Sequence, residues 1–157
     1  MPSIQLSSTL HEMDAEVLAI HCSDHRFQAG FYEFLNLKLN LDENYDLLVL
    51  PGGPQCLTLM EYLPKFSWAG WKWFRFLVDA HDLKRLILIQ HQDCGWYKEL
   101  PHHLHSSPEP RQRQEQDLRR ARAALDKERP ELKVELYYAG WDAHQHITVD
   151  EVSAGGP

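Results

Sequence analysis

Three short aliphatic runs, Glu16 to His21, Tyr45 to Leu50 and Arg85 to Gln90, are each bounded by polar, glycine or proline residues. Their length and composition predict buried parallel strands. Between the first two, Phe27, Phe31, Phe34 and Leu35 recur at i, i+4, i+7 and i+8, which is one face of a helix. Between the second and third, the segment 66–80 sets Ala69, Trp73, Phe76, Leu77 and Ala80 on one face and carries Trp68, Trp71 and Phe74 beyond it. A helix that is apolar nearly all round is buried on more than one side. Core packing accounts for part of that surface, and contact with a second copy of the chain for the rest.

After the third run the pattern breaks. Residues 101–110 hold three histidines, three prolines and two serines, a composition that predicts a loop. A polar helix follows from about Gln112 to Glu128 with a thin stripe of Leu118, Ala121 and Leu125, and Pro130 stops it. Leu132 to Tyr138 and His146 to Val152, joined across Gly140 to Gln145, predict a last hairpin. Strand, helix, strand, helix, strand is the order of a doubly wound sheet. The expected fold is therefore α/β: one domain over residues 1–157, with a central, mostly parallel sheet flanked by helices and a C-terminal hairpin.

Length and charge narrow the function. A chain of 157 residues has the size of one compact domain. A formal net charge of −7 gives no general attraction to phosphate backbones or anionic lipid, so neither nucleic acid nor a membrane surface is an expected partner. No apolar run approaches the roughly 20 residues that span a bilayer, and no positive segment precedes an apolar stretch at the start. A cytoplasmic location is expected. Three cysteines fit metal ligands or free thiols better than a disulfide framework.

The loops that leave the carboxyl ends of parallel strands converge on the binding crevice. Here the first strand runs into His21-Cys22-Ser23-Asp24-His25-Arg26 and the third into His91-Gln92-Asp93-Cys94-Gly95. Zinc takes thiolate and imidazole ligands in tetrahedral geometry, and two cysteines with one histidine leave a fourth position open for chemistry. Cys22, His91 and Cys94 are the candidate ligands. Asp24 can fill the fourth position or accept a hydrogen bond there, and Arg26 can hold that carboxylate in a bidentate pair, ionised and off the metal. His25 and the loop histidines His102, His103 and His105 read as solvated side chains, and Cys56 as a packed thiol.

The pair Cys22-x-Asp24-x-Arg26 and His91-x-x-Cys94-Gly95 resembles the two-part signature of the β-class carbonic anhydrases, over roughly Val17 to Tyr97. The resemblance implies a zinc-dependent lyase that interconverts carbon dioxide and bicarbonate, with Cys22, His91 and Cys94 on Zn2+, Asp24 and Arg26 as the catalytic dyad, and a homodimer. The chain departs from the family pattern at three places. It has Pro51-Gly52-Gly53-Pro54 where an Arg-Asn-Ala-Gly-like turn is usual, Gln90 where a glycine commonly precedes the ligand histidine, and Trp96 where a small residue is more usual.

Two other readings stay open at this point. Tyr45 to Gly53 also resembles the second-strand motif of class I glutamine amidotransferase-like proteins, which would make Cys94 a nucleophile on a strand-to-helix elbow. Alternatively, the altered pocket belongs to a zinc-binding relative with a binding or regulatory role.

Overall fold

The computed structural model describes residues 3–10, 14–58, 63–100 and 109–155. The loop histidines His102, His103 and His105 lie outside the described residues. Five strands form one sheet in the order β2-β1-β3-β4-β5. They are β1 Val17–Cys22, β2 Asp46–Leu50, β3 Arg85–His91, β4 Lys133–Trp141 and β5 Ile147–Glu151. The first four run parallel, and β5 returns antiparallel along β4, pairing Tyr137 with Glu151 and Trp141 with Ile147. The expected hairpin is thus the edge of the same sheet, with its first strand carried on to Trp141.

Alternate residues of the central strands enter two cores, as the two-residue period of a strand requires. Leu18, Ile20, Leu86, Leu88, Val134 and Leu136 face α2 (Pro64–His81) and α4 (Pro110–Glu128). Val17, Ala19, Ile87, Ile89 and Ala139 face the opposite layer. That layer is a 3-10 turn over His25–Phe27, then α1 (Gln28–Glu33), then a π-helical turn over Phe34–Lys38. Phe27, Phe31 and Leu35 make its buried stripe, while Phe34 packs edge-on against Tyr137. With helices on both sides, β1 is buried along its whole length, which is why its sequence does not alternate.

The face that α2 buries differs from the one its sequence pattern favours. Ser67, Gly70, Trp71, Phe74 and Val78 turn inward, whereas Trp73 and Phe76 are 45% and 68% exposed. Gly70 explains the choice. It lies so close to the 3-10 turn Gly53–Leu57 that a Cβ there would sit 2.7 Å from Cys56 Cβ, and the next residue, Trp71, donates from Nε1 to the Leu57 carbonyl at 3.2 Å. A close backbone approach and one hydrogen bond decide the orientation between the two hydrophobic stripes. Cys56 is fully buried in that contact, and burial pushes its thiol up to about 12, as befits a packed side chain.

Pro110 opens α4, a position where its missing N–H costs nothing. The helix buries Leu118, Ala121 and Leu125, as the stripe predicts, and also Gln114 and Asp117. None of the described helices is long and apolar enough to cross a membrane.

Candidate metal centre

Neighbouring strands β1 and β3 end at Cys22 and His91, so parallel pairing alone delivers a thiol and an imidazole to one edge. Beyond β3, Asp93 takes a left-handed conformation with φ of 59°, which an aspartate tolerates better than most residues. That turn folds the chain back, setting Cys94 as the residue that caps α3 (Gly95–Glu99). The ligand atoms of Cys22, His91 and Cys94 lie within 4.8 Å of one another, and all three residues are buried. The two sulfurs are 3.8 Å apart. Two thiolate bonds of about 2.3 Å at the tetrahedral angle would separate their sulfurs by about 3.8 Å.

His91 is oriented for ligation. Its Nδ1–H donates to the Gln92 carbonyl at 2.9 Å, which leaves the lone pair on Nε2. That Nε2 is buried and has no hydrogen-bond partner among the described residues. A buried imidazole nitrogen without such a partner, facing two thiols, fits a soft or borderline metal ion. These three residues can hold a metal ion.

The two thiols are hydrogen-bonded to each other. Cys22 is pulled far below the usual thiol range, chiefly by the hydrogen bond from Cys94, and Cys94 is pushed up because it donates that bond. Tyr97 and Trp96 pack around the two sulfurs.

Asp24 caps the 3-10 turn after β1 by accepting from the Arg26 amide at 3.0 Å. The Arg26 guanidinium reaches back to it through Nε, at 3.0 and 3.2 Å, and through Nη2, at 2.7 Å. These bonds hold the Asp24 carboxyl down at about 2. Arg26 is itself braced by Asp93, whose Oδ2 and backbone carbonyl each accept from it at 3.0 Å. Asp24 is not among the atoms clustered with the three metal donors. It does line, with Cys22, Arg26, Pro51, Gly95 and Trp96, a cleft of about 330 Å³ over them. His25, with a nearly fully exposed side chain, stands at its rim.

The Pro51-Gly52-Gly53-Pro54 turn has a local explanation. Both glycines take positive φ, 74° and 50°. A Cβ on Gly52 would lie 2.2 Å from the Trp96 ring, and one on Gly53 2.8 Å from the His21 carbonyl carbon. The turn packs onto the end of β1 and under Trp96, where only glycine fits. The sequence reading missed Asp93 as the second brace of Arg26. It also missed Gln55, Gln90, Tyr97 and Asp117, a buried polar group beneath the centre. For Asp117 a signal existed, since it sits next to Leu118 on the inward stripe of α4.

No protein-family model matches the chain. An uncharacterized protein of Rickettsia bellii is 29% identical over 138 residues, covering 85% of this chain and 80% of that protein. An uncharacterized protein of Rickettsia conorii is 28% identical, covering 85% and 71%. Among solved structures, the carbonic anhydrase of Streptococcus mutans superposes with a TM-score of 0.57 at 15% identity, over 93% of this chain and 88% of that one. The β-carbonic anhydrase CafA of Aspergillus fumigatus gives 0.55 at 17% identity, over 92% and 78%. A carbonic anhydrase of Glaciozyma antarctica gives 0.55 at 14% identity, over 89% and 83%. Sheet order, helical layers and these superpositions together establish that the chain has a divergent form of the β-carbonic anhydrase fold.

Proposed function

We propose that the chain is a zinc-dependent carbonic anhydrase-like lyase that hydrates carbon dioxide reversibly to bicarbonate. The observation that carries this reading is the buried, partnerless Nε2 of His91 set against two thiols, beside a carboxylate locked to an arginine. Cys22, His91 and Cys94 would hold Zn2+. Bound there, zinc supplies a Lewis acid that acidifies water and so provides a nucleophile for carbon dioxide at moderate pH. Asp24, ionised and turned to Arg26, accepts a hydrogen bond from the attacking water and orients it. Arg26 keeps that carboxylate off the ligand set, and Asp93 keeps Arg26 in place. Trp96 and Pro51 wall the cleft and limit it to a small substrate.

The same reading makes the chain a cytoplasmic homodimer. Trp73 and Phe76 of α2 and Leu48, Val49 and Leu50 of edge strand β2 line an open apolar groove, and Leu47 and Val49 are 48% and 40% exposed. An uncovered apolar groove beside an unpaired strand edge suits burial against a second copy. Zinc analysis of the purified protein combined with stopped-flow carbon dioxide hydration is the test. One zinc per chain with measurable hydration supports the lyase. One zinc without hydration at any pH favours a binding or regulatory relative, and a protein that takes up no zinc defeats both.

A further inference from the structure

We propose that Asp117, on the buried face of α4, is a positioning residue for the metal centre. Through Tyr97, Gln90 and Gln55 it fixes Trp96, Tyr97 and the Gly52 turn, which wall the Cys22 and Cys94 thiols. The inference rests on the reading of this site as a metal centre.

The hydrogen bonds run in one direction toward the carboxylate. Trp96 Nε1 donates to Gln55 Oε1 at 2.7 Å, and Gln55 Nε2 donates to Asp117 Oδ2 at 3.1 Å. On the other branch, Gln90 Nε2 donates both to the Gly52 carbonyl and to Tyr97 Oη, each at 3.1 Å. Tyr97 Oη then donates to the same Asp117 Oδ2 at 2.8 Å. Arg120 donates to Oδ1 from the surface side at 3.3 Å. Asp117 is 8% exposed, so these donors replace most of the water a carboxylate would otherwise hold. Burial, with the Asp117 charge second, raises the Tyr97 phenol well above its ordinary range, so it remains a donor.

The residues at the near ends of both branches surround the sulfurs. Trp96 and Tyr97, held through their side chains, follow Cys94 in α3 and pack against both thiols, and the turn of Gly52, held through its carbonyl by Gln90, lies against the end of β1 at Cys22. Thus the residues that wall the ligand sulfurs are positioned by a buried chain ending on Asp117. Outer partners that fix the direction of a ligand tune the metal it holds, so loosening these residues alters both the affinity of the centre and its thiolate spectrum. A carboxylate suits the hub because one oxygen must accept two donors while the other accepts a third. Gln90 and Trp96, two of the three departures from the family pattern, are both members of this network, and the third, the Gly52 turn, is what it holds.

The test is cobalt(II) binding to the full chain, read as the dissociation constant by chelator competition and as the thiolate-to-cobalt charge-transfer absorption. Tyr97→Phe keeps the ring and removes the hydroxyl that joins Gln90 to Asp117; Asp117→Ala removes the hub; Asp117→Asn keeps an acceptor oxygen. Tyr97→Phe and Asp117→Ala are expected to weaken cobalt binding about tenfold and to shift the absorption band, within the range for groups that support metal ligands. Asp117→Asn should recover most of both, and Arg120→Ala should resemble wild type. Wild-type affinity and spectrum in Tyr97→Phe overturn the proposal even if Asp117→Ala fails to fold. A wild-type chain whose cobalt shows no thiolate band overturns the metal reading itself, a result distinct from failure of the variants.

Discussion

At the scale of single residues, the proposed centre separates side chains that would hold metal from those that would guard it. Cys22→Ser, Cys94→Ser and His91→Ala should each lose most bound zinc, because each removes one of the three donors that, among the described residues, lie in reach of one another. Cys56→Ser should keep the metal, its thiol being packed against Gly70. Metal content after gel filtration distinguishes the two groups. Arg26→Ala removes the guanidinium that engages both Asp24 oxygens, and the freed carboxylate should close the fourth position. That variant should retain zinc and lose at least about tenfold in hydration rate, as does loss of an aligned catalytic group. Hydration by wild type should rise with pH through a midpoint above about 7, since two thiolates cancel the charge of the dication and acidify water less than three histidines do. A rate flat from about pH 6 to 9 would oppose this, because ionisation of water at a metal centre is itself pH-dependent.

At the scale of elements, sequence pattern located every strand and both long helices because each element is the product of local periodicity and a terminator. The ligand positions were legible for the same reason: Cys22 and His91 end aliphatic runs, and parallel strands put such ends together. What pattern could not weigh was close approach. Two apolar stripes compete on α2, and the one that carries Ser67 and Gly70 is buried because Gly70 admits Cys56. Gly70→Ala tests this, with two effects of opposite sign. Alanine favours the helix by about 1 kcal/mol. Against this, a Cβ 2.7 Å from Cys56 Cβ and 2.8 Å from its carbonyl oxygen overpacks a site that has backbone on one side. Overpacking costs about 1–3 kcal/mol, so the variant should be less stable by urea denaturation. Cys56→Ala should not restore it, since Cβ and carbonyl remain. Another cross-element contact sets an acid limit: Arg85 on β3 holds Glu135 on β4 by two bonds of 2.8 Å. Burial alone would raise the Glu135 carboxyl, but the bonds from Arg85, Lys133 and Tyr137 outweigh it and bring it to about 2. A depressed folded value stabilises above the unfolded one and is lost as pH falls between them. Wild type should therefore lose unfolding free energy from about pH 4.5 toward 2, and Glu135→Gln should flatten that slope by about 1 kcal/mol.

At the scale of the whole molecule, the sheet leaves one flank uncovered. Val49→Lys, or Trp73→Glu on the neighbouring helix, places a charge in the groove that the proposed dimer buries. Either change should halve the mass measured by light scattering while leaving zinc content unchanged. A wild-type mass equal to that of one chain would reject the dimer. Apart from the place of Asp117 on the inward stripe of α4, the buried group around it was beyond sequence reading, because glutamine, tyrosine and aspartate from four separate segments acquire their meaning only when the sheet brings them together. The strand order carries a further consequence, for the sequence of events in folding. β1 and β3 are neighbours in the sheet, yet β2 and α2 intervene along the chain, so Cys22 cannot meet His91 and Cys94 until that long excursion has been made and closed. Contacts between distant parts of a chain form slowly and late. An ion that needs all three donors finds them only after the rate-limiting step, and should act as a lock on the finished protein rather than as a nucleus for it. Stopped-flow unfolding and refolding in urea, with and without zinc, should show the unfolding rate falling with metal while the refolding rate stays where it was.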